Sequence, residues 1–524
     1  MVPLNFEQPY PSNRSPICAA NVVATSQPLA TQAGIDALRR GGNAVDAALA
    51  AAITLTVVEP NNNGLGSDAF CILHDGAELT GLNASGRSPA AWRPERFAGL
   101  DRMPARGWDS VTVPGAVSAW VALSDRYGRL PFAALFEAAV GYARDGFQVG
   151  PKSAYYWALA GRPLADRFPD FAAHFWPPPA PGALVRRPDL AETLEAVAAS
   201  RGEAFYRGEL ARRMVAAAGK DGGALSLADL AEHRADWVTP LAVAYRDVTL
   251  HEIPPNGQGL AAQIALGILA RRPRHDLDSE PAIHQEIEAM KVAVRAAFDH
   301  IADPASMRVD PAELLADGHL DALAGRIGDA AAPVPPAPLP VGRDTVCLAA
   351  ADSRGMMVSF IQSNYEGFGA GVVVPGTGIA MQNRGSGFSL EPDHPNRVGP
   401  RKRPFHTIIP GFVTDAGGPR LAFGLMGGHM QHQGHVQMVR RLFDHGQNPQ
   451  AASDAPRWHV YPDYAVGLEQ GFPEAVAEGL RRRGHRVRHE PREHVFGGAQ
   501  LVLRTADGYV AGSDHRKEGQ AAGY

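Results

Sequence analysis

The chain has 524 residues, 45% hydrophobic and 20% charged, which is enough apolar material for a large core and excludes disorder as the main state. Its 50 Lys and Arg against 55 Asp and Glu leave a formal charge of −5, with no electrostatic footprint for nucleic acid or an anionic membrane surface. Three scattered cysteines, Cys18, Cys71 and Cys347, exclude a disulfide framework and a cysteine zinc site. Residues 1–28 lack the apolar core of a secretion signal, and no run of about 18 apolar residues occurs, so a soluble, cytoplasmic protein is expected.

In chain order, residues 31–40 repeat apolar side chains at helical spacing and Gly41-Gly42 stops them. Residues 43–56 are Ala-rich and read as a second, buried helix. A tight loop at 61–66, a short strand at 69–74 and a hairpin turn at Asp75-Gly76 follow. From 116 to about 330 most segments read as helical, broken by Pro-rich loops such as 176–181. The stretch 284–301 is amphipathic, with Met290, Val294 and Phe298 on one stripe. Residues 331–340, AAPVPPAPLP, hold five prolines in ten positions and cannot pack as helix or central strand. Beyond this arm the pattern turns to strand at 346–351 and 356–363, with a Gly-rich loop at 367–371. Residues 372–374 and 378–382 are expected to extend that sheet.

The common nucleophile and phosphate signatures are absent: no G-x-S-x-G, no P-loop, no G-x-G-x-x-G and no H-E-x-x-H. Thr345, at the mouth of the first strand after the arm, carries a different chemistry. An internal Thr has nothing to remove its hydroxyl proton. A Thr at a free N-terminus carries its own base, an α-amine with a pKa near ~8 beside Oγ1. Residues 423–429, FGLMGGH, place Gly427-Gly428 where a strand passes into the helical run 430–442, and backbone N–H groups at such a turn can hold an oxyanion. His429, His432 and His435 stand at i, i+3 and i+6 on that helix, which opens the alternative of a metal-binding protein, with His406 as a further ligand. No carboxylate or Cys accompanies them at ligand spacing, so no metal is expected.

Several segments together resemble the γ-glutamyltranspeptidase family. They are DTVCLAAADSRGMMVSFIQSNYEGFGAG from Asp344 to Gly371, VGPRKRP from Val398, Met426-Gly427-Gly428, Ala455-Pro456-Arg457 and SDHRKEG from Ser513. The first half adds GGNAVDAA from Gly41, Val113-Pro114-Gly115, ARDGF from Ala143 and Ile253-Pro254-Pro255. The resemblance implies an α+β fold, the four-layer αββα sandwich of N-terminal-nucleophile hydrolases. It implies self-cleavage between Asp344 and Thr345. That would give a large chain of residues 1–344, ending in the Pro-rich arm 331–343, and a small chain of 524 − 344 = 180 residues, together one αββα unit and a heterodimer of one precursor. Thr345 would be the nucleophile, Ser363 would orient it, and Gly427 and Gly428 would bind the oxyanion. No metal or organic cofactor is implied.

The positions that set specificity depart from the family. Ser85 falls where a carboxylate-gripping Arg is expected, with Arg87 two residues on. Gly387 replaces the Asp that holds the substrate amine. Tyr365 replaces an Asn, Arg384 follows Asn383 in place of a Gln, and His406-Thr407 replaces a Ser-Ser pair. Arg87, Tyr365, Asn383, Arg384, His406 and Thr407 are the expected substrate contacts, a set of donors without an obvious acidic partner. They suit a small-molecule amide whose acyl part carries a carboxylate. The pattern is similar to a subgroup that includes oxamate amidohydrolase; a true glutathione hydrolase or γ-glutamyltransferase is the alternative.

Overall fold

The computed structural model describes residues 13–333 and 344–524, apart from the side chain of Asp344. The fold is built on fourteen strands: β1 (Ile17–Ala19), β2 (Val22–Thr25), β3 (Asp68–His74), β4 (Leu79–Asn83), β5 (Asp236–Val238), β6 (Leu241–Tyr245), β7 (Val248–Glu252), β8 (Asp344–Ala351), β9 (Met357–Tyr365), β10 (Pro410–Asp415), β11 (Gly418–Met426), β12 (Gly498–Thr505), β13 (Gly508–Ser513) and β14 (Gln520–Gly523). They form two seven-stranded sheets, in the orders β14-β2-β8-β9-β3-β4-β5 and β1-β13-β12-β11-β10-β7-β6. Both sheets mix strands from before and after residue 344.

Alternation along the strands sorts the side chains into three cores. Cys347, Ala349 and Ala351 on β8, Phe70 and Ile72 on β3, and Phe412, Ala422 and Met426 from the second sheet fill the space between the sheets. Val346, Leu348 and Ala350 point the other way, against α1 (Pro28–Arg39) and α2 (Ala44–Val58). On the far side, Val413, Leu421, Phe423 and Leu425 meet α3 (Gly259–Ala270), α4 (Glu280–His300) and α5 (Met430–Phe443). The result is the expected four-layer αββα sandwich.

Local chemistry explains the helix next to the site. Asn43 caps α2 through the Asp46 amide, and the Asp46 carboxylate returns a bond to the Asn43 amide, a reciprocal box that satisfies two orphan donors. All fifteen residues of α2 are buried, which its Ala-rich sequence permits because small side chains let layers approach on every side.

One sequence expectation is corrected. The segment 372–382 does not extend a main sheet: Val373–Val374 and Ile379–Ala380 pair only with each other as a separate ribbon. Most of the stretch 116–330 is helical, as expected, and β5, β6 and β7 within it close one edge of each sheet. Of the Pro-rich arm, residues 334–343 lie outside the described residues. Among the described residues no helix is long and apolar enough to cross a membrane.

Candidate active site

Thr345 enters β8 at an irregularity. Asp344 pairs with Tyr365 while Val346 pairs with Gln362, so two steps on β8 face three on β9. Such a bulge re-aims the side chain it carries. The Thr345 hydroxyl donates to Ser363 Oγ at 3.1 Å, and Ser363 Oγ also accepts the Tyr365 amide at 2.8 Å. Thr345 and Ser363 are both buried.

Ser363 stands in register with Asp68, the first residue of β3. Asp68 is fully buried and has three N–H donors. Gly86 and Gly115 donate to Oδ1 at 3.2 and 3.1 Å, and His406 Nε2 lies 3.1 Å from Oδ2. The glycines are required here: a Cβ on Gly86 would lie 1.5 Å from the Val113 carbonyl oxygen, and one on Gly115 equally close to that of Ala84. The Ile408 amide approaches His406 Nδ1 at 3.4 Å, which leaves the ring proton on Nε2, facing Asp68. Burial, with Arg384 and Arg403 nearby, keeps this imidazole neutral, well below its ordinary range. Burial pushes the Asp68 carboxyl up to about 7, against the pull of Arg384, the two glycine amides and Arg403.

Arg384 is the cation of the site. Its Nη1 donates to Thr407 Oγ1 at 2.7 Å and its guanidinium stacks on the Tyr365 ring at 4.6 Å. Arg384 Nε and Nη2, and the Tyr365 hydroxyl, are buried with no hydrogen-bond partner. Burial lowers the Arg384 pKa to about 10, with Asp68 the leading opposing charge. At neutral pH it remains a cation with unused donors, which is costly unless a ligand takes them.

The Gly427-Gly428 turn is tied to this cluster by Gln258, at the start of α3. Its Nε2 donates to the Thr407 carbonyl at 2.5 Å and to that of Gly428 at 2.9 Å. Its Oε1 lies 3.1 Å from His429 Nδ1 and 3.0 Å from His432 Nδ1. Gly427 and Gly428 have φ of +118° and +60°, the left-handed region that glycine adopts without strain. No described group accepts a hydrogen bond from either of their amides. Contacts therefore run unbroken from His406-Thr407 to the Gly427-Gly428 turn, and Cys347 Sγ, donating to the Gly424 carbonyl at 3.4 Å, holds β8 against the strand that ends in that turn.

The remaining expected residues fall in two groups. Asn383 is engaged with the backbone, donating to the Ala105 carbonyl at 2.8 Å and accepting the Glu366 amide at 3.1 Å. Arg87 stands apart, half-exposed, with Asp303 at 3.2 Å and Asp236 at 3.7 Å. Ser85 bonds Asn83 and Asn256, and Gly387 leaves no room for a side chain, since a Cβ would lie 2.7 Å from the Phe405 carbonyl oxygen. The expectation that the donors lack an acidic partner is corrected by Asp68. Asp68 and Gln258 were missed because neither sits in a catalytic spacing; the signal for Asp68 was a lone acid opening an otherwise apolar strand.

The histidine alternative also resolves in detail. His435 Nδ1 lies 2.6 Å from Glu252, and His429 and His432 share Gln258, so their Nδ1 atoms point to different protein partners. Among the described residues the side chains grouped closely enough to hold a metal are His284, Glu288 and His485, remote in contacts from this site, where the Lys291 ammonium lies 2.8 Å from Glu288. Among the described residues of the candidate active site, no three His, Cys, Asp or Glu side chains group closely enough to hold one ion.

A gamma-glutamyltranspeptidase family model matches residues 30–524. The chain is 34% identical to a glutathione hydrolase-like proenzyme (YwrD) of Bacillus subtilis, over 98% of this chain and 100% of that one. It is 36% identical to the oxamate amidohydrolase proenzyme of Klebsiella pneumoniae, over 95% and 97%. A solved cephalosporin acylase from Bacillus halodurans superposes with a TM-score of 0.95 at 45% identity, covering 100% of this chain and 99% of that one. The chain belongs to the gamma-glutamyltranspeptidase family and is an enzyme of its hydrolase and transferase type.

Proposed function

We propose that this family member is a self-processing amidohydrolase that uses Thr345 as an N-terminal nucleophile and hydrolyses a small amide whose acyl part carries a carboxylate. Cleavage of the Asp344–Thr345 peptide bond frees the α-amine. That amine takes the proton from Thr345 Oγ1, which attacks the substrate carbonyl, and Ser363 orients the hydroxyl. The oxyanion formed is held by the Gly427 and Gly428 amides. Collapse breaks the C–N bond; the α-amine hands its proton to the leaving amine, and an ester to Thr345 remains. Water then gives a proton to the same amine and attacks the ester; the bond to Thr345 Oγ1 breaks, the amine returns that proton to Oγ1, and the acid leaves.

The observation that carries the substrate class is Arg384, buried with Nε and Nη2 unpartnered beside an unpartnered Tyr365 hydroxyl. Buried donors without partners suit an acyl carboxylate. The blocked position at Gly387 speaks against the γ-glutamyl acyl group, and the oxamate amidohydrolase relative supports a small dicarboxylate monoamide. Arg87, already held by two carboxylates, is assigned to the wall rather than to the substrate.

The test is a screen of oxamate and of succinyl, glutaryl and γ-glutamyl amides with the processed protein. Turnover of carboxylate-bearing amides, falling in Arg384→Gln, is expected. Fast release from a γ-glutamyl amide, unaffected by Arg384→Gln, would overturn the substrate assignment.

A further inference from the structure

Gln258 stands immediately before α3, a helix buried from Gly259 to Leu269, and every hydrogen-bonding capacity of its own buried side chain is in use. Nε2 donates to the Thr407 and Gly428 carbonyls at 2.5 and 2.9 Å, and Oε1 faces His429 Nδ1 and His432 Nδ1 at 3.1 and 3.0 Å. Reversing the amide would set Oε1 against two carbonyl oxygens, so its orientation is fixed. The backbone is held as firmly. The Gln258 amide donates to the His406 carbonyl at 3.0 Å, and the His406 amide to the Asn256 carbonyl at 2.9 Å. Backbone bonds therefore strap Gln258 to the segment of Thr407, on whose hydroxyl Arg384 Nη1 rests at 2.7 Å, while the side chain reaches across to the Gly427-Gly428 turn. A further tie joins the same two segments, the Ile409 amide on Gln431 Oε1 at 3.0 Å, so loss of the Gln258 amide loosens the turn without releasing it.

We propose that Gln258 is a positioning residue that sets acyl length: it holds the Gly427-Gly428 turn at a fixed remove from Thr407 and Arg384, so that an acyl carboxylate and the scissile carbonyl are gripped together at one spacing. The inference rests on the roles proposed above for Arg384 and for the two glycine amides. An acyl chain one methylene too long or too short meets one grip or the other, and the oxyanion then forms away from its donors. The amide is what the position needs. Gln258→Glu keeps the acceptor and loses both donors; Gln258→Met fills a similar volume without polar bonds.

The experiment uses p-nitroanilides whose acyl parts are oxalyl, malonyl, succinyl, glutaryl and adipyl, with one leaving group throughout. In the processed parent kcat/KM is expected to fall at least about tenfold from the best acyl length to a neighbour one methylene away. In Gln258→Met and Gln258→Glu that ratio is expected to shrink to within about threefold, while kcat on the best substrate drops about 10–100-fold and its KM shifts less than about threefold, because the Arg384–Thr407 bond remains. A ratio within one preparation does not depend on how much of the protein is folded, so a merely destabilised variant keeps the parent's ratio. Hydrogen exchange needs no turnover: residues 427–432 are expected to exchange faster in both variants, and residues 406–409 to stay as in the parent. A flat length profile in the parent, an equally steep one in both variants, or unchanged exchange at 427–432 overturns the role of Gln258 alone. An unchanged KM across the series in Arg384→Gln overturns the carboxylate reading and this inference with it.

Discussion

Two of the groups of buried charges in this molecule are finished to different degrees. Around the C-terminal motif, Arg516 makes five hydrogen bonds: two to Glu469, two to the carbonyls of Ser453 and Ala455, and one to Asp514. Asp514 in turn accepts from Arg457, Ser453 and the amides of Ala499 and Arg516. Arg384 in the candidate active site makes one side-chain hydrogen bond and leaves two nitrogen atoms, Nε and Nη2, without a partner. Burial costs both arginines a similar desolvation, so the difference lies in compensation. A saturated network holds a chain segment in place; an unsaturated one awaits something from outside.

The sharpest way to separate site from scaffold is at the proposed nucleophile. Thr345→Ala is expected to remain one uncut chain of 55.7 kDa and to lose activity by at least about a thousandfold, read by gel and by amide turnover. Cleavage at that bond in the variant would break the assignment. Next comes the saturated cluster. Asp514→Ala strands Arg457 and Arg516 without their shared carboxylate and is expected to cost about 3–5 kcal/mol in a denaturant titration. A loss below about 1 kcal/mol would mean that the network is decoration.

Arg384→Gln is the complementary change. It is expected to raise KM for a carboxylate-bearing amide about 10–100-fold while leaving the unfolding midpoint level or higher, because an incompletely compensated buried cation is removed. A lowered midpoint would place Arg384 with the scaffold. The smallest effect concerns pH and stability. Between the ordinary carboxylate range and about 7 the folded chain keeps the Asp68 proton that the unfolded chain has released, so the folded state loses stability as pH rises through this window. Asp68→Asn removes that loss. Its stability relative to the parent is expected to improve by on the order of 1–2 kcal/mol from about pH 5 to about pH 8. A difference that is flat with pH would show that the carboxylate is ionised throughout.

The sequence made some of this legible and hid the rest for physical reasons. The strand pair 344–365 and the Gly427-Gly428 turn are local features, in which residue type and conformation lie within one short window. Asp68, Arg384 and His406 span 338 positions and meet only through the sheet packing, so the acid at 68 looked unrelated to the cation at 384. Gln258 gave no signal, since its importance lies in four partners from two distant segments, at 407 and 428–432. The ribbon at 373–380 misled because β-branched residues mark strands without telling which sheet they join. The strands between 236 and 252 were passed over within a largely helical stretch, although Leu241–Tyr245 alternates exposed and buried residues.

The mixed parentage of both sheets has a mechanical corollary. β8 is wedged between β2 and β9, and β2 is in turn flanked by β14 from the end of the chain. A break at residue 344 would therefore alter the wiring of the polypeptide and nothing of its masonry: the halves would be as interlocked as laced fingers, and parting them would require melting the whole building.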